Sequence, residues 1–175
     1  MKHIYKILIC ALVLTSTKIC ACSCKVPESL KEIQDSEFEN SECIFIGEVL
    51  EVDAFNNSFK FKVIESFKDE KSGEIYNGKY DALCGPIINE TGKWLIYGNF
   101  NDENQIVINH CGLTRSFNKP ENNISTLNPP PMPPQPDEKV TESKDEKEIT
   151  KWRLRAKSDL NNEIIALRKR KKQKN

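Results

Sequence analysis

Apolar residues change their spacing several times along this chain, and each change marks a predicted element. Between residues 27 and 42, Leu30, Ile33 and Phe38 stand among acidic residues, the pattern of a short amphipathic helix beginning near Pro27. The run Cys43-Ile44-Phe45-Ile46 opens a strand over 43–55. Phe59-Lys60-Phe61-Lys62-Val63-Ile64 alternates with period two, which sends alternate side chains to opposite faces of a sheet. Further strand candidates lie at 74–84, 94–100 and 105–111. Turn signals separate them at Asn56-Asn57, Lys71-Ser72-Gly73, Cys84-Gly85-Pro86, Glu90-Thr91-Gly92 and Asn101-Asp102. Five short strands with one helix predict a mainly β fold, a small closed or partly open barrel.

Beyond residue 119 the character changes. The stretch 128–136 holds six of the nine prolines and reads as a semi-rigid linker, and 137–148 is a charged run. Ile149, Trp152, Ala156, Leu160, Ile164 and Leu167 then recur at helical spacing before the basic end Arg168-Lys169-Arg170-Lys171-Lys172. The expected organisation is a leader over 1–21, a barrel over 22–119, a linker over 120–148 and a disordered or helical basic extension over 149–175. Such a stripe needs a surface: the barrel, a partner or an anionic membrane.

At the other end, Lys2 and Lys6 precede an apolar run over 7–14 that is too short to span a membrane, and small residues end it at Ala21. This predicts an export signal whose removal leaves Cys22 first, and a secreted, extracellular or cell-envelope protein. Ile19-Cys20-Ala21-Cys22 also forms a weak lipoprotein-type site that would lipidate Cys22. Export makes disulfides the natural reading of Cys22, Cys24, Cys84 and Cys111, whose spacing leaves three pairings open. Cys43, inside an apolar run, is expected to remain a buried thiol. Cys22-Ser23-Cys24 is too tightly spaced for a zinc knuckle, so no bound cofactor or resident metal is expected.

Charge narrows the function classes. From 22 to 119 there are 10 basic and 17 acidic residues, net −7, whereas 151–175 has 10 basic and 2 acidic, net +8. An acidic barrel repels phosphate, so nucleic acid is not an expected partner. Beyond the leader the sequence holds one histidine, His110, and no nucleophile motif, so the protein is expected not to be an enzyme. A monomer is expected.

Several segments together carry a family resemblance. They are Cys22-Ser23-Cys24 directly after a cleavage site, the run from Asn40 through Cys43-Ile44-Phe45-Ile46-Gly47-Glu48-Val49, Leu83-Cys84-Gly85, Gly92-Lys93-Trp94-Leu95-Ile96-Tyr97, and Cys111. From Cys22 to about Phe117 the chain resembles the inhibitory domain of tissue inhibitors of metalloproteinases, particularly their bacterial homologues. The resemblance implies a five-stranded OB-type barrel of the netrin-like class, with Cys22 bonded to Cys84 and Cys24 to Cys111. It also implies a mechanism. The α-amino group and carbonyl of Cys22 would chelate the catalytic zinc of a target protease. An α-amino pKa of about 8 leaves a useful neutral fraction for this. Ser23 would enter the protease's primary specificity pocket, and Asp81, Ala82, Leu83 and Gly85 would form a second contact strip. The chain departs from the animal family in lacking a third barrel bridge and a six-cysteine second domain. The competing expectation is a disulfide-stapled scaffold or interaction module without inhibitory activity, lipid-anchored at Cys22 if that residue is acylated.

Overall fold

In the computed structural model of the protein, residues 24, 28–68, 72–123 and 142–174 are described. Ser29 starts the first helix, α1 (Leu30–Asn40): its Oγ accepts from the Glu32 N–H at 3.2 Å, satisfying one of the donors a helix start leaves open. The Glu32 carboxylate reaches back to the Glu28 N–H at 2.8 Å. The helix therefore begins at Leu30, not at Pro27. It ends where the Ser41 N–H and Oγ both donate to the Glu37 carbonyl, and its buried side carries Ile33 and Phe38.

Among the described residues six strands follow: β1 (Cys43–Asp53), β2 (Ser58–Ser66), β3 (Ile75–Lys79), β4 (Gly92–Phe100), β5 (Ile106–Ile108) and β6 (Arg115–Ser116). β1 pairs antiparallel with β2 and β4, β2 with β3, and β4 with β5, while β3 and β5 run parallel. These pairings close a five-stranded mixed barrel of OB type, and β6 extends the edge of β4 beyond β5. β1 pairs on both of its edges, and its ladder with β2 is irregular at Ile46/Gly47 and again at Val49/Glu51, which bends the strand as the sheet closes. Glycine is required at the first bend. A Cβ on Gly47 would lie 2.7 Å from the Phe61 ring, inside the barrel.

Inside are Phe45, Val49, Phe59, Phe61, Val63, Trp94, Ile96, Ile106 and Ile108, together with Cys43, a buried thiol whose Sγ meets the Gly98 carbonyl at 3.2 Å. The residues between them, Ile44, Ile46, Leu95 and Tyr97, point outward and are just as buried. Their burial explains why β1 opens as a continuous apolar run rather than an alternation: both faces are covered.

The cover is supplied by α1 and by a long helix, α2 (Glu142–Lys174). α2 starts seven residues before the predicted 149, so part of the charged run is helical. Ala156, Leu160, Ile164 and Leu167 are buried, and the last three pack with Ile33, Phe38, Ile44, Ile46, Phe67, Leu95, Tyr97 and Leu113. Of the surfaces open to this stripe, the barrel takes it. A buried polar group lies at the centre of that layer: the Glu163 carboxylate accepts from the Arg115 guanidinium and from the Tyr97 hydroxyl, while Gln34 donates to it at 3.2 Å. Arg115 and Glu163 have side-chain exposures of 0% and 2%. Burial pushes the Glu163 carboxyl above its ordinary range against the opposing pull of Arg115, and burial beside Glu163 drives the Tyr97 phenol well up. At the C-terminal end, Arg168 holds Glu65, Arg170 holds Asp35, and Lys171 donates to the Ser66 carbonyl at 2.6 Å. Lys68 and Arg170 both stand over the Phe38 ring, each 4.7 Å from its centre. Among the described residues no helix is long and apolar enough to cross a membrane.

Candidate functional site

The predicted strand over 74–84 is correct only as far as Lys79. After it, the Tyr80 N–H leaves the β2 ladder to donate to the Asn57 carbonyl at 3.0 Å, in the β1–β2 hairpin tip. Local bonds then replace strand pairing. The Asp81 carboxylate accepts from the Leu83 N–H at 2.8 Å, and its carbonyl accepts from the Gly85 N–H at 3.1 Å. Asp81 thus folds 81–85 into a tight turn, the competition that short polar side chains offer to a ladder. The turn exposes Ala82 and Leu83, the latter at 85%.

The second side of the site comes from the segment after β5. The Cys111 N–H donates to the Cys84 carbonyl at 3.0 Å, and Cys111 is bridged to the exposed Cys24 across a Cα–Cα distance of 5.7 Å. This bridge is one of the two that the family resemblance implies. Cys84 is itself disulfide-bonded; Cys22 and Ser23, the proposed zinc ligand and specificity residue, lie outside the described residues. Asp81, Ala82, Leu83 and Gly85 are thus brought together beside Cys24.

Cys111 has φ +57°, a left-handed conformation that costs a non-glycine residue on the order of 1 kcal/mol. Its neighbours hold it there: the bridge on one side, and on the other the Gly112 N–H donating to the Asn109 carbonyl at 3.3 Å. Gly112 has no room for a side chain, since a Cβ would sit 2.7 Å from the Glu37 carboxylate. Glu37 accepts from the Asn109 amide at 3.3 Å and from the Leu113 N–H at 3.4 Å, so α1 braces this loop from behind. Burial nevertheless pushes the Glu37 carboxyl up. His110 sets its Nε2 3.6 Å from the Asp81 carboxylate, between the two loops.

Phe55 was not legible as part of this region. It sits in the hairpin tip between β1 and β2 and is 94% exposed, and the Tyr80–Asn57 bond fastens that tip to the 81–85 turn. Phe55 and Leu83, the two most exposed large apolar side chains among the described residues, therefore stand on adjoining loops. The sequence expectation placed Phe55 at the end of a strand over 43–55, but β1 stops at Asp53 and leaves it in the turn.

Elsewhere, a cleft of about 180 Å³ is lined by Asn89, Glu90, Trp94, Ser116, Lys119 and others. Its carboxylate is engaged by the Ser116 hydroxyl at 2.5 Å and by Lys119 at 3.8 Å. Among the described residues no cluster of three or more His, Cys, Asp or Glu could hold a metal ion. Compared with known protein families and with characterised proteins, the chain finds no match.

Proposed function

We propose that the protein is an exported inhibitor of a zinc metalloprotease, presenting its N-terminal Cys22 to the catalytic zinc with the 81–85 turn as a second contact strip. The observation that carries this reading is the Cys24–Cys111 bridge together with the Cys111–Cys84 backbone bond. They hold the chain two residues after Cys22 against a turn with an exposed apolar tip. A wedge fixed in this way binds at lower entropic cost than a loose N-terminus. Ala82 and Leu83 offer a small and a large apolar contact beside it, and Phe55 extends the exposed apolar surface along the adjoining loop.

The test uses a panel of zinc proteases and two variants. One Ala placed ahead of Cys22 removes the chelating amine from its position and should abolish inhibition, with the melting temperature unchanged. Leu83→Ser should weaken inhibition by about 1.5–3 kcal/mol, the transfer value of a leucine side chain. Equal inhibition by the extended and parent proteins rejects chelation. No inhibition of any panel member by the parent protein leaves the stapled barrel as an interaction module.

A further inference from the structure

With one side of α2 committed to the barrel, the opposite side has its own chemistry. At 3.6 residues per turn, the side turned away from Ala156, Leu160, Glu163 and Leu167 carries Lys147, Lys151, Arg155, Lys169 and Lys172. All five are exposed. No carboxylate falls among Lys147, Lys151, Lys169 and Lys172; Glu148 lies beside Arg155 at the edge of this side. Leu154 and Ile165 rise between the cations, 63% and 62% exposed. The helix's ion pairs to the barrel side are made by other residues: Arg153 with Glu121, Arg168 with Glu65 and Arg170 with Asp35. Among the described residues the five stripe cations form no ion pair. The result is two groups of positive charge on this side, Lys147–Lys151–Arg155 and Lys169–Lys172, separated by about 21 Å at 1.5 Å per residue, with Leu154 inside the first and Ile165 just before the second.

We infer that this stripe docks on an anionic lipid bilayer, with α2 lying in the plane of the surface and Leu154 and Ile165 entering the headgroup region. A helix that lies in an interface needs cations to meet the lipid phosphates and apolar side chains between them to enter the boundary, and the stripe supplies both. The same cations could meet a nucleic acid, but no aromatic residue stands on the stripe for bases to stack on, and exposed aliphatic groups gain nothing from a phosphate backbone. The charge distribution fits the bilayer too. The net −7 barrel sits behind α2, so the stripe faces the surface while the repelled body is held away from it. The predicted membrane contact is thereby moved to the other face of the helix: the stripe of Leu160, Ile164 and Leu167 is already covered by the barrel. This inference is independent of protease inhibition.

The test is co-sedimentation of the whole purified protein with phosphatidylglycerol vesicles and with phosphatidylcholine vesicles. Binding to the first, little to the second, and loss of binding in high salt are expected. The variant K151Q/R155Q/K169Q/K172Q, which touches no packed residue, should bind phosphatidylglycerol at least about tenfold more weakly. L154S/I165S should bind a few-fold more weakly, on the order of one lost aliphatic contact each. Both should keep the parent's helical signal and melting temperature. Unchanged binding by the four-residue variant, equal binding to the two vesicle types, or tighter binding to a DNA duplex than to phosphatidylglycerol would each overturn the inference. An N-terminal lipid, which would bind both vesicle types regardless of the stripe, falls among those overturning results. Inhibition of a soluble protease by the four-residue variant should equal the parent's, so failure of either reading is seen separately.

Discussion

Inside the barrel, Phe45, Phe61, Val63, Trp94 and Ile96 fill the space almost without polar atoms; outside the β1–β4 wall, Ile44, Ile46, Leu95 and Tyr97 share their layer with Arg115 and Glu163. Both regions are sealed from solvent, yet they are specified differently. The interior is bounded on every side by hydrogen-bonded strands, so alternation along β2 and the bends of β1 leave little freedom in what meets what. The outer layer is closed by a helix that could bury an aliphatic stripe at more than one axial position. A buried ion pair adds little stability over apolar groups of the same size, and its directional bonds can select one register where an aliphatic stripe would accept several. Glu163 meets both Arg115 and Tyr97 only where α2 now sits. We therefore read the pair as a register lock and the barrel interior as the source of stability.

The largest effects should separate the two roles. Phe61→Ala, which empties the fully buried centre of the barrel, should cost about 3–5 kcal/mol in urea unfolding. Glu163→Ala should cost a similar ~3–5 kcal/mol by stranding the Arg115 charge, whose Nε and Nη1 already lack partners. The two then part company. Adding Arg115→Met to Glu163→Met should recover most of the loss, while no second change restores the barrel centre. If the double variant remains as unstable as Glu163→Ala, the pair is a stabilising element and the distinction collapses.

A smaller effect tests whether the layer opens separately. Leu160→Ala should cost about 2–5 kcal/mol, and amide exchange should quicken over α2 while β1 and β4 keep their protection. Uniform quickening across barrel and helix would make them one cooperative unit and merge the two compartments.

The smallest is a pH effect at the edge of the outer layer. The raised pKa of Glu37 means that the folded protein holds this proton more tightly than the unfolded chain. Its contribution is full below the ordinary value of 4.5 and is lost as pH rises through the raised one. Glu163 acts in the same direction. Glu65 is opposite: Arg168 holds its carboxyl low, so its contribution is present above 4.5 and is lost on acidification. Stability of Glu37→Gln should consequently fall less than that of the parent as pH is raised from acid to neutral. Parallel curves for the two proteins would remove Glu37 from the pH response.

By itself, the sequence determined the barrel and its covering helices in outline. Period-two alternation in 59–64 marks a strand with one buried face, and the apolar runs at 43–46 and 94–97, short and rich in β-branched or aromatic residues, suit strands with both faces buried. Helical spacing from Ile149 to Leu167 demands a surface for the stripe, and Cys-rich positions around one region suggested staples. Boundaries were weaker, because local capping by Ser29 and the Asp81 turn override periodicity. Only tertiary structure decided the rest. β6 is two residues long, too short to carry a period, and exists because Leu95 and Trp94 offer an open edge. Arg115 and Glu163, 48 residues apart, read as ordinary surface charges until folding buries them against each other. The surface that takes the α2 stripe was open among barrel, partner and membrane, since amphipathic spacing fixes that a face is buried but not against what. Phe55 and Leu83 stand on adjoining loops for the same reason: the bond between Tyr80 and Asn57 joins segments that sequence order keeps apart.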